Sequence, residues 1–322
     1  DWDARLIEFT NHESADIQVR FSVDGTRVAS GDDLHNLIVW VCATGAVLSR
    51  ATLGGIECFD VSCKDLLAFG NAEGEISIWR NMERKNQRVL CGHEADIALV
   101  LFSPDGEWLA SFDNKGVVML WEVSTDFRRV MFHPGSTGYS QKMAFSSRRD
   151  SGMQAEDIFF ATATEDLNAE HVQTTITVWR KRQGVKWELL LGFTRDGKLV
   201  GDPTFSHATL LCALVDCWTG MLEVVECEVG SNLKELQIRA KHIEGSFLDD
   251  RTRLVFLTRP QPDQSQLACI VCDGIGPMQL YELAGCDDER LVPVTMEFEE
   301  SNRAIKTRLS PDGSLIAASK ER

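Results

Sequence analysis

CGHEADIALVLFSPDGEWLASFDNKGVVMLWE, residues 91–122, holds a complete supersecondary unit. Ala98 to Phe102 is a short apolar run closed by the turn Ser103-Pro104-Asp105-Gly106, in which proline presets φ and glycine accepts a positive one. Trp108 to Phe112 reads as a second strand, Asn114-Lys115-Gly116 as a tight hairpin turn, and Val117 to Trp121 as a third run of β-branched and aromatic residues. Weaker copies of the same pattern recur along the chain.

The Gly92-His93 pair, the Ser-Pro-Asp-Gly turn and the closing Leu120-Trp121-Glu122 resemble one WD repeat, the unit of the WD-repeat β-propeller family. The resemblance implies an all-β fold. Seven blades of roughly 42 residues need about 294, so a single seven-bladed propeller takes up residues 1–322, alone or as part of a longer chain.

Tryptophan spacing provides a ruler. Trp40 and Trp79 are 39 residues apart, Trp79 and Trp121 are 42 apart, and Trp121 and Trp179 are 58 apart, so the fourth blade carries insertions. Its strands are expected at Lys142 to Phe145, Ile158 to Thr162 and Thr175 to Trp179, with polar loops at Ser147 to Asp157 and Glu165 to Gln173. The first blade reads as Ile17 to Phe21, Arg27 to Ser30, Leu37 to Trp40 and Ala46 to Leu53, and the second as Ile56 to Val61, Leu66 to Gly70, Ile76 to Trp79 and Arg88 to Leu90. After Trp179 the signature fades. Val225 takes the tryptophan position of blade five and Cys272 that of blade six, which begins at Ile243 to Leu248. At the ends, Arg5 to Phe9 offers a fourth strand and Ile305 to Ala318 a first and second, so pairing them closes the ring and removes exposed edges. The third strand of that blade is missing from the sequence.

The family resemblance also implies a hydrogen-bonded tetrad of His, Ser or Thr, Asp and Trp in each well-formed blade. Here His93, Ser111 and Trp121 match, Lys115 stands where the Asp is expected, and Glu73 holds that place in blade two. With a single Gly-His pair in the chain and a weakened one at Asn11-His12, most tetrads are expected to be incomplete, with Trp40, Trp79, Trp121 and Trp179 marking the repeats.

Composition bounds the chemistry. There are 33 Lys and Arg against 49 Asp and Glu, a net charge of −16, which opposes direct binding to nucleic acid or to an anionic membrane and favours a basic protein partner. No apolar run reaches the roughly 20 residues of a membrane span, and no insertion is expected. The ten cysteines are scattered through apolar segments, and Cys269/Cys272 form the one C-x-x-C, with no second pair or His at ligand spacing. Reduced structural cysteines and a cytoplasmic or nuclear location are the expectation. Nucleophile-elbow, Walker, His-Glu-x-x-His and dinucleotide motifs are absent, so no catalytic residue, metal or cofactor is expected. Arg180-Lys181-Arg182, the densest basic run, reads as a solvated loop.

These observations point to a non-enzymatic interaction platform within a larger hetero-oligomeric complex. Two alternatives are a substrate receptor of a cullin-RING ubiquitin ligase, through the W-D-x-R match at Trp2-Asp3-Ala4-Arg5, and a scaffold in a nucleic-acid-processing complex. In such a propeller the second-to-third and fourth-to-first connections share one rim. The longer candidates there are Thr164 to Thr174, Arg259 to Gln266 and Cys286 to Asn302. The last carries Asp287, Asp288, Glu289, Glu297, Glu299 and Glu300, read as an irregular acidic loop for a basic partner segment.

Overall fold

A computed structural model describes residues 12, 17–22, 24–80, 83–133, 140–146, 158–166, 172–182, 185–206, 209–216, 218–228, 238–243, 253–259, 266–272, 279–282, 290–291, 293–294, 304–309 and 316–320. Apart from a 3-10 turn at Val123–Thr125, its regular elements are strands.

Among the described residues the strands fall into seven sheets. Sheet one is β1 (Ile17–Phe21), β2 (Arg27–Asp32), β3 (Asn36–Val41) and β4 (Val47–Thr52); sheet two is β5 (Cys58–Val61), β6 (Leu66–Gly70), β7 (Ile76–Arg80) and β8 (Glu83–Leu90). Sheet three is β9 (Ile97–Phe102), β10 (Trp108–Asp113), β11 (Val118–Glu122) and β12 (Arg128–His133); sheet four is β13 (Ser140–Phe145), β14 (Ile158–Asp166), β15 (Gln173–Lys181) and β16 (Glu188–Asp196). Each runs in simple antiparallel order. Sheet five holds β17 (Lys198–Leu199), β18 (Thr204–Ser206), β19 (Thr209–Val215), β20 (Leu222–Glu228) and β21 (Ile238–Ile243). Sheet six holds β22 (Arg253–Arg259), β23 (Gln266–Cys272) and β24 (Gln279–Glu282). Next in the chain come two short strands: β25 (Arg290–Leu291) lies parallel to β21 on sheet five, and β26 (Pro293–Val294) pairs with β24. Sheet seven is β27 (Ala304–Leu309) with β28 (Ile316–Lys320).

The turns are as the residues dictate. Ser103 Oγ donates to Asp105 Oδ1 at 2.6 Å and accepts the Trp108 amide at 2.9 Å, while Gly106 adopts φ 65°. Ser22, Asp24 and Gly25 repeat the device in sheet one, where Ser22 Oγ donates to Asp24 Oδ1 at 2.5 Å and accepts the Arg27 amide at 3.0 Å.

Neighbouring sheets are joined by apolar layers with a few buried polar clasps. Phe59 and Val61 of sheet two pack with Ala29, Leu37 and Val39 of sheet one. Ile97, Val100 and Phe102 of sheet three pack with Ala68, Ile76 and Ile78 of sheet two. Phe145, Phe160 and Trp179 of sheet four close on Trp108, Phe112 and Leu120 of sheet three. Asp60 Oδ2 accepts the Phe102 amide at 2.6 Å across sheets two and three, and Glu165 Oε1 accepts the Leu199 amide at 2.7 Å across sheets four and five. At the far end of the chain, β27 lies beside both β22 and β1, which sets sheet seven next to sheet one. The closing strand expected at Arg5 to Phe9 lies outside the described residues.

Several boundaries differ from the sequence reading. Glu165, Asp166 and Gln173 are strand residues, because β14 and β15 pair over nine positions, from Ile158↔Lys181 to Asp166↔Gln173. Ile243 ends β21 on sheet five instead of opening sheet six. Arg180 and Lys181 belong to β15, and Arg180 is buried with its Nε and Nη2 on Glu188 Oε1 at 2.8 and 2.6 Å, so the basic run is not a solvated loop.

Candidate functional site

Strand register places the tetrad residues. Trp121 faces Leu109 across β10 and β11, Trp40 faces Val28, Trp79 faces Leu67, and Trp179 faces Phe160. Two positions further along the second strand stands Ser111, whose Oγ takes the Trp121 Nε1–H at 2.9 Å and meets His93 Nε2 at 2.7 Å. His93 Nδ1 lies 2.8 Å from Asp113 Oδ2, and Asp113 Oδ1 accepts the amides of Lys115 and Val117, each at 3.0 Å. One proton arrangement satisfies all four groups: imidazole Nδ1–H donates to Asp113, the Ser111 hydroxyl donates to Nε2, and the indole donates to Ser111. Burial holds the His93 pKa below its ordinary value against the opposing pull of Asp113, which keeps the ring neutral.

The set is therefore complete in sheet three, and Lys115 is not its acid. The acid sits where β10 runs into the hairpin, since only there can one oxygen cap the turn amides while the other reaches the imidazole.

Sheet one holds a second complete set. Trp40 Nε1 donates to Ser30 Oγ at 2.7 Å, Ser30 Oγ meets His12 Nε2 at 2.6 Å, and His12 Nδ1 meets Asp32 Oδ2 at 2.8 Å. Desolvation raises the Asp32 pKa, yet the bonds from His12 and Asn36 outweigh it and hold the carboxyl below the usual range. The weakened Gly-His position at Asn11-His12 supplies a working histidine after all. A sequence signal for both sets was available. Ser lies 18 residues after His, Asp lies 20 after it, and Trp follows Ser by 10, in both copies.

In sheets two and five the set is replaced. In sheet two Phe69 occupies the serine place, facing Ser77 as Ser111 faces Met119, and it meets Trp79 edge-on at 5.3 Å. Asn71, not Glu73, holds the acid position, accepting the Glu73 and Glu75 amides at 3.1 and 2.8 Å. Trp79 Nε1 is buried with no hydrogen-bond partner among the described residues. A cavity of about 190 Å³ lies beside Leu53, Phe69 and Asn71. In sheet five Val225 faces Cys212 in the tryptophan register, as the sequence reading expects, and buried Leu214 stands at the serine position.

A surface recess lies where sheets four and five meet on the rim that carries the second-to-third hairpins. It measures about 650 Å³ and is lined by Gln173, Arg195 and Asp196 from sheet four and by Asp216, Met221 and Glu223 from sheet five. Its sheet-five wall is a fixed hairpin. Asp216 Oδ1 accepts the amides of Trp218 and Thr219 at 2.7 and 2.8 Å, and Gly220, at φ 69°, donates to Asp216 O at 2.8 Å. The tip of this hairpin presents Trp218 with 76% of its surface exposed. On the opposite wall Gln173 Nε2 donates to Asp196 Oδ1 at 2.9 Å, and Arg195 Nε is buried without a hydrogen-bond partner among the described residues. The sequence reading reached one residue of this site, Gln173 within the Thr164 to Thr174 candidate, and missed the rest, because its members come from four separate strand ends and no two form a motif.

The expected acidic site is only partly visible. Asp287, Asp288, Glu289, Glu297, Glu299 and Glu300 lie outside the described residues, as do Trp2-Asp3-Ala4-Arg5. The stretch is not irregular throughout, since Arg290–Leu291 and Pro293–Val294 form strands within it. Among the described residues no three His, Cys, Asp or Glu side chains converge to hold a metal ion, and no helix is long and apolar enough to cross a membrane.

Comparison with known proteins agrees with the geometry. Residues 4–40 and 84–122 match the family model of the WD domain, G-beta repeat. These two segments contain His12 with Trp40 and His93 with Trp121, the two complete sets. The chain is 25% identical over 175 residues to Protein HIR1 of Mycosarcoma maydis, covering 54% of this chain and 14% of that protein. It is 23% identical over 135 residues to the Protein LST8 homolog of Drosophila melanogaster, covering 39% of this chain and 42% of that one. It is 27% identical over 104 residues to Transcription initiation factor TFIID subunit 5 of Caenorhabditis elegans, covering 32% of this chain and 16% of that one. The aligned regions thus span less than half the length of each relative.

Proposed function

We propose that the chain, which carries WD repeats at residues 4–40 and 84–122, is a non-enzymatic scaffold that holds protein partners together within a larger assembly. The observation that carries this reading is the use made of the polar groups. The buried histidines, serines and acids of sheets one and three are bonded to one another and tie strands together, while the outward-facing groups stand on short, hydrogen-bonded hairpins of a packed sheet array. In this proposal the seven sheets are the blades of one ring over residues 1–322, working in the cytosol or the nucleus, and partners are recognised without cofactor or metal. The TFIID subunit among the relatives favours a second reading, a scaffold in a nucleic-acid-processing complex, with contact made through other proteins and not by this acidic chain itself.

The test is purification of the intact tagged protein under gentle conditions, with size-exclusion chromatography of what is recovered. Co-elution with stoichiometric partner proteins is the expected result. A protein that elutes alone and turns over a small substrate overturns the proposal.

A further inference from the structure

Building on the scaffold reading, we propose that the rim cleft between sheets four and five receives an extended partner segment bearing lysine or arginine, with Trp218 as the platform on which its cation stacks. Four observations carry this. The recess of about 650 Å³ lies within the size range of ligand-binding cavities and has room for several residues of extended chain. Its charge is one-sided, with Asp196, Asp216 and Glu223 against Arg195, in a chain of net charge −16. Trp218 leaves 76% of its surface in water, yet the backbone beneath it is held by two bonds to Asp216, so little order is lost when a partner covers the ring. Indole is the best of the aromatic faces for a cation. Finally, Arg195 has a buried Nε–H without an acceptor among the described residues; a rotation of the guanidinium toward an entering backbone carbonyl supplies one.

Division of labour follows from the positions. The carboxylates on the two walls attract and orient the segment, so they act on association rate and are weakened by salt. Trp218 acts on dissociation. Met221, 37% exposed on the sheet-five wall, offers an adaptable apolar contact in the recess.

The experiment uses the full chain and a fluorescein-labelled peptide of alternating arginine and glycine, with a glutamine-for-arginine peptide as its neutral counterpart, read by fluorescence anisotropy at low and high salt. The arginine peptide binds and the glutamine peptide does not. Trp218→Ala weakens binding by about tenfold at either salt, as loss of an exposed aromatic anchor does. Asp196→Asn with Glu223→Gln weakens it strongly at low salt and little at high salt. Glu94→Gln, which removes an exposed carboxylate outside the cleft, leaves it unchanged. The proposal is overturned if the arginine peptide fails to bind, or if Glu94→Gln costs as much as the cleft variants, since attraction is then a property of the whole acidic surface. If the peptide ignores the cleft while the intact protein still co-purifies with partners, this site falls and the scaffold reading stands. If the peptide seats on Trp218 but the intact protein always elutes alone, the scaffold reading falls instead.

Discussion

Removing one oxygen from sheet three tests whether its four-residue set holds the fold. Ser111 is fully buried, and its hydroxyl is bonded to Trp121 Nε1 at 2.9 Å and to His93 Nε2 at 2.7 Å. Ser111→Ala leaves both nitrogens without that partner, in side chains that are themselves buried, at 4% exposure for Trp121 and 8% for His93. Water cannot replace the lost bonds. Each orphaned buried group costs about 1–3 kcal/mol, so the loss should be about 2–6 kcal/mol, since the void left by a single oxygen adds little. Ser77→Ala is the control: Ser77 Oγ accepts from Gln87 Nε2 at 3.0 Å, and the exposed Gln87 returns to water when the hydroxyl goes. That change should cost about 1 kcal/mol or less. The assay is urea denaturation followed by circular dichroism and tryptophan fluorescence, whose midpoints must coincide for the energies to be compared. Ser30→Ala should repeat the Ser111 value, because its partners and distances are the same in kind. If Ser111→Ala costs no more than Ser77→Ala, the tetrad contributes nothing as a unit and apolar packing alone holds the sheets.

Three further outcomes are expected. A Cβ built on Gly70 would lie 2.4 Å from Ile97 Cβ and Cγ2, so Gly70→Ala should destabilise by about 1–3 kcal/mol through overpacking between sheets two and three, and should cost less on an Ile97→Ala background, which removes Cγ2; additive costs in the double variant would refute the clash. Folded His93 holds its proton less readily than free imidazole, so the unfolded chain protonates first as the pH falls below 6.5. Stability should be whole above that value and decline below it until the folded ring also titrates, and a flat profile between neutral pH and pH 5.5, or the same decline in His93→Gln, would contradict this. Burial pushes the Cys58 thiol up to about 12 and the Cys42 thiol to about 11, and raises Cys212 as well, whereas Cys91 is exposed; a thiol reagent should label Cys91 in the native protein and the other three only on unfolding.

How legible the fold was depended on local chemistry. The first three strands of sheets one to three lie within a few residues of the sequence reading, because Ser-x-Asp-Gly turns and β-branched runs punctuate the chain, whereas β8 begins five residues earlier than read and β12 was not read at all. The long hairpin of β14 and β15 was harder, since Glu165, Asp166 and Gln173 look like loop residues until Glu165 is seen buried against the Leu199 amide. The tetrad acids were misplaced by two residues for a related reason. Asp113 reads as the last residue of a strand, and only the pairing of β10 with β11 shows its two oxygens serving a turn and a histidine together. Of the rim cleft only Gln173, inside the Thr164 to Thr174 candidate, was legible. Its walls are brought together by the meeting of two sheets, which no local pattern in either one records.

The places where the tetrad is lost bear on where function can sit. In sheets one and three the acid at the mouth of the hairpin is bound to a buried histidine, which fixes the rim between one sheet and the next with a polar clasp. In sheet five the corresponding second-strand and third-strand positions are Leu214 and Val225, both buried and neither able to hydrogen-bond through its side chain. There Asp216 caps its own hairpin through the Trp218 and Thr219 amides, and the hairpin ends in an indole turned to solvent. Sheet five meets sheet four instead through apolar packing, with Leu199, Phe205, Leu210 and Leu214 closing on Phe159, Ala161 and Val178, and through the buried Glu165 carboxylate on the Leu199 amide. Beside these contacts a recess remains between Asp196 and Glu223. The rims of sheets one and three should behave in the opposite way: with acid and histidine committed to each other, they should tolerate substitution of exposed hairpin residues such as Leu34 without effect on partner recovery, whereas Trp218→Ala in sheet five should reduce it. Equal recovery from both variants would separate the loss of the tetrad from the gain of a binding rim, and the cleft would then be only a gap between two sheets.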